Sequence, residues 1–77
     1  DALIAISSSG NSPNIIKAVE TAKNLHLSVI GFVGFDGGKL LPLSDAKIHV
    51  SSDKYAIVES THDAICHLIT TYFEELL

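Results

Sequence analysis

A cluster of hydroxyl groups near the start of the chain is the first feature whose residue types could do chemistry. Gly10 and Asn11 interrupt a run of serines, which comprises Ser7, Ser8, Ser9 and Ser12. We call residues 7–12 the serine loop. An apolar run, residues 2–6, precedes it, and apolar residues recur at helical spacing after Pro13. Short hydroxyl donors and backbone N–H groups at a helix N-terminus favour the binding of a phosphate or another anion.

The serine loop has two interpretations. One is a phosphate site at the carboxyl end of a strand, where α/β proteins bind their ligands. The other is an ordinary loop in which Ser12 caps a helix and Pro13 takes its first position. The number of hydroxyls exceeds what one cap requires, which favours the phosphate site. The sequence does not contain the G-x-x-x-x-G-K-[ST] pattern of a P-loop.

A second group of reactive side chains lies near the end of the chain. Glu59, His62 and His67 fall in a stretch whose apolar residues recur at helical spacing. Glu59 and His67 are about two helical turns apart and can flank one small ligand. This arrangement suits general acid–base chemistry or a metal site, whereas a solvated helix face is the alternative. The H-E-x-x-H zinc pattern is absent, and Cys66 is expected to be a packing residue.

A third polar segment is Asp36-Gly37-Gly38-Lys39, which follows the apolar run 29–35. Its two glycines predict a tight turn. One interpretation is that this segment borders the same ligand as the serine loop, because it also follows the carboxyl end of a predicted strand. The other is that it is a plain turn. His26 and His49 are expected to be surface or strand residues.

The elements that position these groups follow from apolar periodicity. Residues 2–6 and 29–35 are predicted to be strands buried on both faces, joined by a helix from Pro13 to about Leu25 in a βαβ unit. Three further elements are expected: a helical turn at 39–43, an edge strand at 47–50 and a long helix at 55–76. The core stripe predicted for that helix excludes His62 and comprises Val58, Ile65, Leu68, Ile69, Tyr72, Phe73 and Leu76.

Composition limits the partners. The 77 residues carry a formal charge of −4 with only five Lys and Arg, which argues against nucleic acid. No apolar run reaches the roughly 20 residues that span a bilayer, and no signal peptide is visible. The single cysteine excludes an internal disulfide. The apolar fraction of 47% is high for so short a chain, so we expect the C-terminal part of a larger domain or half of an obligate assembly.

The order of these motifs resembles the sugar isomerase (SIS) domain, and within it the phosphoheptose isomerase family. The likeness covers nearly all of the chain and lies in Ile6-Ser7-Ser8-Ser9-Gly10-Asn11-Ser12, Val29-Ile30-Gly31-Phe32, Asp36-Gly37-Gly38-Lys39 and the helix with Glu59, His62 and His67. It implies an α/β fold with three αβα layers around a parallel, flavodoxin-like sheet. Residues 1–77 would be the C-terminal part, with three strands and a long last helix but without the N-terminal helices and first strands.

The resemblance also implies roles for individual residues. The expected phosphate-binding residues are Ser7, Ser8, Ser9, Asn11 and Ser12. His67 matches the catalytic histidine, which moves a proton between C1 and C2 of the sugar through an enediol. Glu59 stands where many members have a glutamine that contacts substrate or, in some members, zinc, so Glu59 and His67 are also the candidate zinc ligands. His62 matches a family histidine of undefined role.

The implied activity is the isomerisation of sedoheptulose 7-phosphate to D-glycero-D-manno-heptose 7-phosphate, a precursor of lipopolysaccharide or capsule. The implied protein is a cytoplasmic homotetramer that uses no organic cofactor and binds neither nucleic acid nor membrane. The alternative is a non-catalytic SIS module that binds sugar phosphates or associates with a replication initiator, although such modules tend to lack the histidine at position 67.

The sequence departs from the family in two ways. Ala56 stands where many members carry an aspartate, so one polar contact is lost. The catalytic glutamate that partners the histidine would lie before Asp1. We therefore expect residues 1–77 alone to lack full activity.

Overall fold

The computed structural model describes residues 1–76. Its elements, in chain order, are β1 (Ala2–Ser7), α1 (Pro13–Asn24), β2 (Ser28–Val33), α2 (Leu40–Leu43), β3 (Ala46–His49) and α3 (Tyr55–Leu76). Every predicted element is present, and the boundaries agree to within two residues. The strong apolar periodicities and the Gly and Pro signals between them account for this agreement.

The three strands form one parallel sheet in the order β1-β2-β3. In the register, Ala5 pairs with Gly31, and Val33 pairs with both Ser7 and His49. The predicted edge position of β3 is confirmed. Because the strands are parallel, the loops that follow β1, β2 and β3 all leave from the same edge of the sheet.

The main core lies on one face of this sheet. Its buried side chains come from the strands and from two helices on that side, namely Ala5, Val29 and Val33 with Val19 and Ala22 of α1 and Leu40 of α2. Alternation along β2 directs Phe32 to the opposite face. There the Phe32 ring meets the His62 ring of α3 edge-on, with the ring centroids 5.6 Å apart. The helices thus lie on both sides of the sheet, and the predicted three-layer αβα fold is confirmed.

Close packing between α3 and β2 depends on a glycine. A Cβ atom on Gly34 would overlap both methyl groups of Val58 and would lie 3.0 Å from the Ser8 carbonyl oxygen. The start of α3 therefore approaches the end of β2 more closely than any residue other than glycine at position 34 would allow.

The prediction that β1 is buried on both faces is wrong for residues 1–76. Ile4 and Ile6 are 51% and 45% exposed, whereas Ala5 and Ser7 on the other face are buried. The reason is the position of α3, whose buried residues Val58 and His62 lie against β2 rather than β1.

The prediction for the core stripe of α3 is also wrong in part. Its buried residues are Val58 and His62, whereas the apolar side chains near its C-terminus are exposed, namely Leu68, Ile69, Tyr72, Phe73 and Leu76. A helix of 22 residues is about 33 Å long, but a six-residue strand spans only about 20 Å. The second half of α3 therefore extends past the sheet that would cover it.

Candidate functional site

The serine loop begins where β1 ends, at the buried residue Ser7. The Ser7 hydroxyl oxygen accepts a hydrogen bond of 3.1 Å from the Gly10 N–H and lies 3.1 Å from the Ser12 hydroxyl. The Asn11 N–H donates to the Ser9 hydroxyl oxygen over 3.2 Å. The loop is thus a tight, internally bonded turn in which the Ser7 and Ser12 hydroxyls meet.

Ser12 occupies the N-cap position of α1 and Pro13 its first turn, as predicted. The Ser12 side chain, however, makes no capping hydrogen bond, because its hydroxyl contacts Ser7 instead. An N-cap side chain normally satisfies one of the first N–H groups of the helix. Here those groups receive no side-chain cap, so the positive end of α1 stays available to an anion.

The serine loop is joined to the turn at residues 36–39. The Lys39 N–H donates to the Asn11 side-chain oxygen over 2.9 Å, and the Leu40 N–H donates to the Gly10 carbonyl over 2.9 Å. Gly10 has a φ of +73°, and a Cβ there would overlap the Gly37 carbonyl. Asn11 therefore positions the turn with its oxygen, which leaves its amide NH₂ as the group that could reach a ligand.

A cleft of about 740 Å³ opens at this edge of the sheet. Its lining comes from the loops after all three strands and comprises Ser9, Asn11, Phe35, Asp36, Ser51, Ser52 and Asp53. The volume lies within the range of small-molecule sites. The serine loop and the Asp36 turn therefore border one cleft.

Sequence reasoning missed the third side of this cleft, residues 51–53. The signal was present, because Ser51-Ser52-Asp53 follows β3 as the serine loop follows β1. The Phe35 N–H donates to the Ser52 carbonyl over 2.9 Å, which ties this segment to the end of β2. His49, expected to be only a surface or strand residue, donates from its Nε2 to the Phe35 carbonyl over 2.8 Å. These bonds hold Phe35 in a left-handed conformation with a φ of 51°.

The two candidate catalytic residues on α3 lie outside this cleft. Glu59 is exposed, and the His67 side chain is 78% exposed. His67 Nε2 lies 3.6 Å from a carboxylate oxygen of Asp63, one helical turn away. Neither Glu59 nor His67 lines the cleft, so residues 1–76 do not bring them together with the serine loop.

The donor set for zinc is incomplete in the part of the chain that the structure describes. Within residues 1–76 there is no group of three or more His, Cys, Asp or Glu side chains that could hold a metal ion. Zinc sites in proteins use three or four protein ligands. Glu59 and His67 alone therefore do not fit a zinc ion.

His62 is the histidine of α3 that the fold buries, with 3% of its surface exposed. Its Nε2 donates to the Val33 carbonyl over 2.9 Å, because a carbonyl can only accept. Its Nδ1 is buried without a partner among the described residues. His62 therefore anchors α3 to the end of β2, a position that helical periodicity did not predict.

A parallel sheet whose polar loops meet in a cleft at its carboxyl edge defines part of an α/β ligand-binding domain. No family model matches the chain. Among curated relatives, the phosphoheptose isomerase of Cytophaga hutchinsonii is 45% identical over 78 residues, which cover 100% of this chain and 41% of that protein. The phosphoheptose isomerase of Helicobacter pylori is 42% identical over 74 residues, which cover 96% of this chain and 38% of that protein.

Solved structures agree with these relatives. A phosphoheptose isomerase from Neisseria gonorrhoeae matches 88% of this chain and 39% of its own, with a TM-score of 0.84 and 35% identity. One from Francisella tularensis matches 88% of this chain and 37% of its own, with a TM-score of 0.84 and 38% identity. The predicted resemblance to phosphoheptose isomerases is confirmed. The chain spans about two fifths of the length of the curated relatives it matches.

Among residues 1–76, no helix is both long enough and apolar enough to cross a membrane.

Proposed function

We propose that the protein is a sugar-phosphate isomerase that converts sedoheptulose 7-phosphate to D-glycero-D-manno-heptose 7-phosphate through an enediol. The observation that carries this proposal is the serine loop, which meets the uncapped N-terminus of α1 and opens onto the cleft. The relatives that share this segment are named phosphoheptose isomerases, which supports the heptose substrate.

In this proposal the serine loop binds the phosphate at one end of the sugar. The loop hydroxyls and the first N–H groups of α1 supply short donors to the phosphate oxygens. The phosphate takes no part in the chemistry, but its binding energy holds the reacting carbons in register. Isomerisation of the ketose then needs a group that takes a proton from C1 to form the enediol and returns it to C2, while a hydroxyl proton moves from O1 to O2.

His67 is the proposed proton carrier. His67 is exposed and is not among the residues that line the cleft, so the carbonyl end of the sugar must also meet groups beyond these residues. A site formed between subunits of the predicted homotetramer would bring His67 of one copy to the sugar bound by another. The tetramer and the cytoplasmic location remain predictions, and a zinc ion would need ligands in addition to Glu59 and His67.

The test is His67→Asn in the natural form of the protein, with His26→Asn as the matched control. His26 is exposed and left-handed, with a φ of 59°, a conformation that asparagine tolerates. We expect the rate of sedoheptulose 7-phosphate isomerisation to fall about 10²- to 10⁴-fold for His67→Asn and to stay unchanged for the control. An unchanged rate in His67→Asn would show that the assigned base is wrong.

A second candidate is a sugar-phosphate-binding module without catalysis. The observation that favours it is that the serine loop is formed within residues 1–76, whereas Glu59 and His67 stay exposed on α3. Calorimetry on the natural protein separates the two functions. Tight binding of sedoheptulose 7-phosphate without turnover would support the module and exclude the isomerase.

A further inference from the structure

The segment between β3 and α3 forms a fixed wall of the cleft. Its Ser52 carbonyl accepts from the Phe35 N–H over 2.9 Å, and its Ser52 hydroxyl oxygen accepts from the Lys54 N–H over 3.2 Å. The Ser52 N–H also donates to the Val50 carbonyl over 2.8 Å. Asp53 therefore lines the cleft from a segment whose backbone is held at several points.

The cleft contains two carboxylates that are engaged differently. Asp36 accepts a hydrogen bond of 3.0 Å from the Gly38 N–H, so one of its oxygens is used within its own turn. Asp53 makes no hydrogen bond or ion pair with any side chain or backbone group that the structure describes. Asp53 is therefore the lining carboxylate whose acceptor capacity is fully available to a ligand.

The chemistry of this carboxylate differs from that of the serine loop. An ionised carboxylate only accepts hydrogen bonds, and it repels a phosphate. The hydroxyls of a polyol are donors that a carboxylate can accept from in pairs. A ligand with a phosphate at one end and a chain of hydroxyls at the other would match the serine loop on one side of the cleft and Asp53 on another.

We propose that Asp53 is a specificity-determining residue that accepts hydrogen bonds from the hydroxyls of the bound sugar phosphate. This inference rests on the proposed function. It assigns to Asp53 the discrimination between a polyol phosphate and inorganic phosphate. Asp53 lies two residues before Tyr55, the first residue of α3, so its negative charge also interacts favourably with the helix dipole. A purely structural role of that kind would alter the stability of the fold and not the preference between ligands.

The test compares two ligands on the natural form of the protein. Calorimetry measures the dissociation constants of inorganic phosphate and of sedoheptulose 7-phosphate for the wild type, for Asp53→Asn and for the control Glu20→Gln. Glu20 is an exposed carboxylate on α1 that does not line the cleft. For Asp53→Asn we expect affinity for the sugar phosphate to fall about tenfold, whereas affinity for phosphate stays equal or rises because a nearby negative charge is removed.

Two results would overturn the inference. The first is that Asp53→Asn binds both ligands as tightly as the wild type does. If the wild type still isomerises the sugar phosphate, this result refutes the role of Asp53 and leaves the proposed function intact. The other is an equal loss for both ligands, which would assign Asp53 to the shape of the site. A wild type that binds phosphate but does not bind sedoheptulose 7-phosphate would refute the proposed function itself, and this inference with it.

Discussion

The hydroxyls of Ser7 and Ser12 lie 3.1 Å apart across the serine loop, and this one contact changes what Ser12 does. A serine at an N-cap usually bonds to an N–H of its own helix. Ser12 bonds across the loop instead, so the same residue marks the start of α1 and leaves the first N–H groups of the helix open. Ser12 thus occupies the N-cap position without capping the helix.

Ser12→Ala separates these two roles. Because the hydroxyl makes no capping bond, we expect the free energy of unfolding to fall by less than the ~1 kcal/mol that is typical of a lost cap. Affinity for inorganic phosphate should fall about tenfold, because one donor to the anion is lost. Urea unfolding and calorimetry measure the two quantities, with the exposed residue Ser60 changed to Ala as control. A full cap-sized loss of stability with unchanged phosphate affinity would contradict this account of Ser12.

At the scale of the element, α3 is attached to the sheet near its beginning. Val58 packs against the end of β2 beside Gly34, and one turn later His62 bonds to the Val33 carbonyl and meets the Phe32 ring. Beyond these contacts Ile65 is half-buried, and the large apolar side chains from Leu68 onward are exposed. The orientation of Glu59 and His67 therefore depends on a short anchor that includes one buried histidine.

His62→Ala should weaken that anchor. Removing a fully buried ring that also makes a hydrogen bond is expected to lower the free energy of unfolding by about 2–5 kcal/mol. His62→Gln keeps a side-chain N–H for the Val33 carbonyl and should lose less. His67→Ala is the matched control, because the same substitution on an exposed part of α3 should change stability by no more than about 0.5 kcal/mol. Equal losses for His62→Ala and His62→Gln would show that the hydrogen bond contributes nothing.

At the scale of the whole molecule, residues 1–76 leave ten large hydrophobic side chains exposed. The exposed side chains of α3 form one stripe that we call the α3 outer stripe, comprising Leu68, Ile69, Tyr72, Phe73 and Leu76. On the sheet, Ile4 and Ile6 are also exposed. Contiguous apolar surface of this kind marks an interaction site in proteins, and we expect the predicted homotetramer to bury part of the outer stripe.

Phe73→Ser tests that expectation. The substitution removes a large apolar group from the outer stripe, and burial of a phenylalanine contributes about 1.5–3 kcal/mol per copy. We expect the natural protein to shift toward smaller assemblies, as measured by analytical ultracentrifugation over a range of concentrations. Glu74→Ser, at the neighbouring exposed position, should leave the assembly unchanged. An assembly that is equally stable in both variants would place the interface elsewhere.

Local sequence patterns were enough to predict the elements, their order and the serine loop. Apolar periods and turn residues act over a few positions, so they predicted β1, α1 and α3 almost to the residue. Tertiary structure alone decided which groups meet across the chain. His62 is buried because α3 crosses β2, and Asp53 lines the cleft because parallel strands deliver their loops to one edge. These outcomes depend on contacts between residues far apart in sequence, which local patterns do not encode.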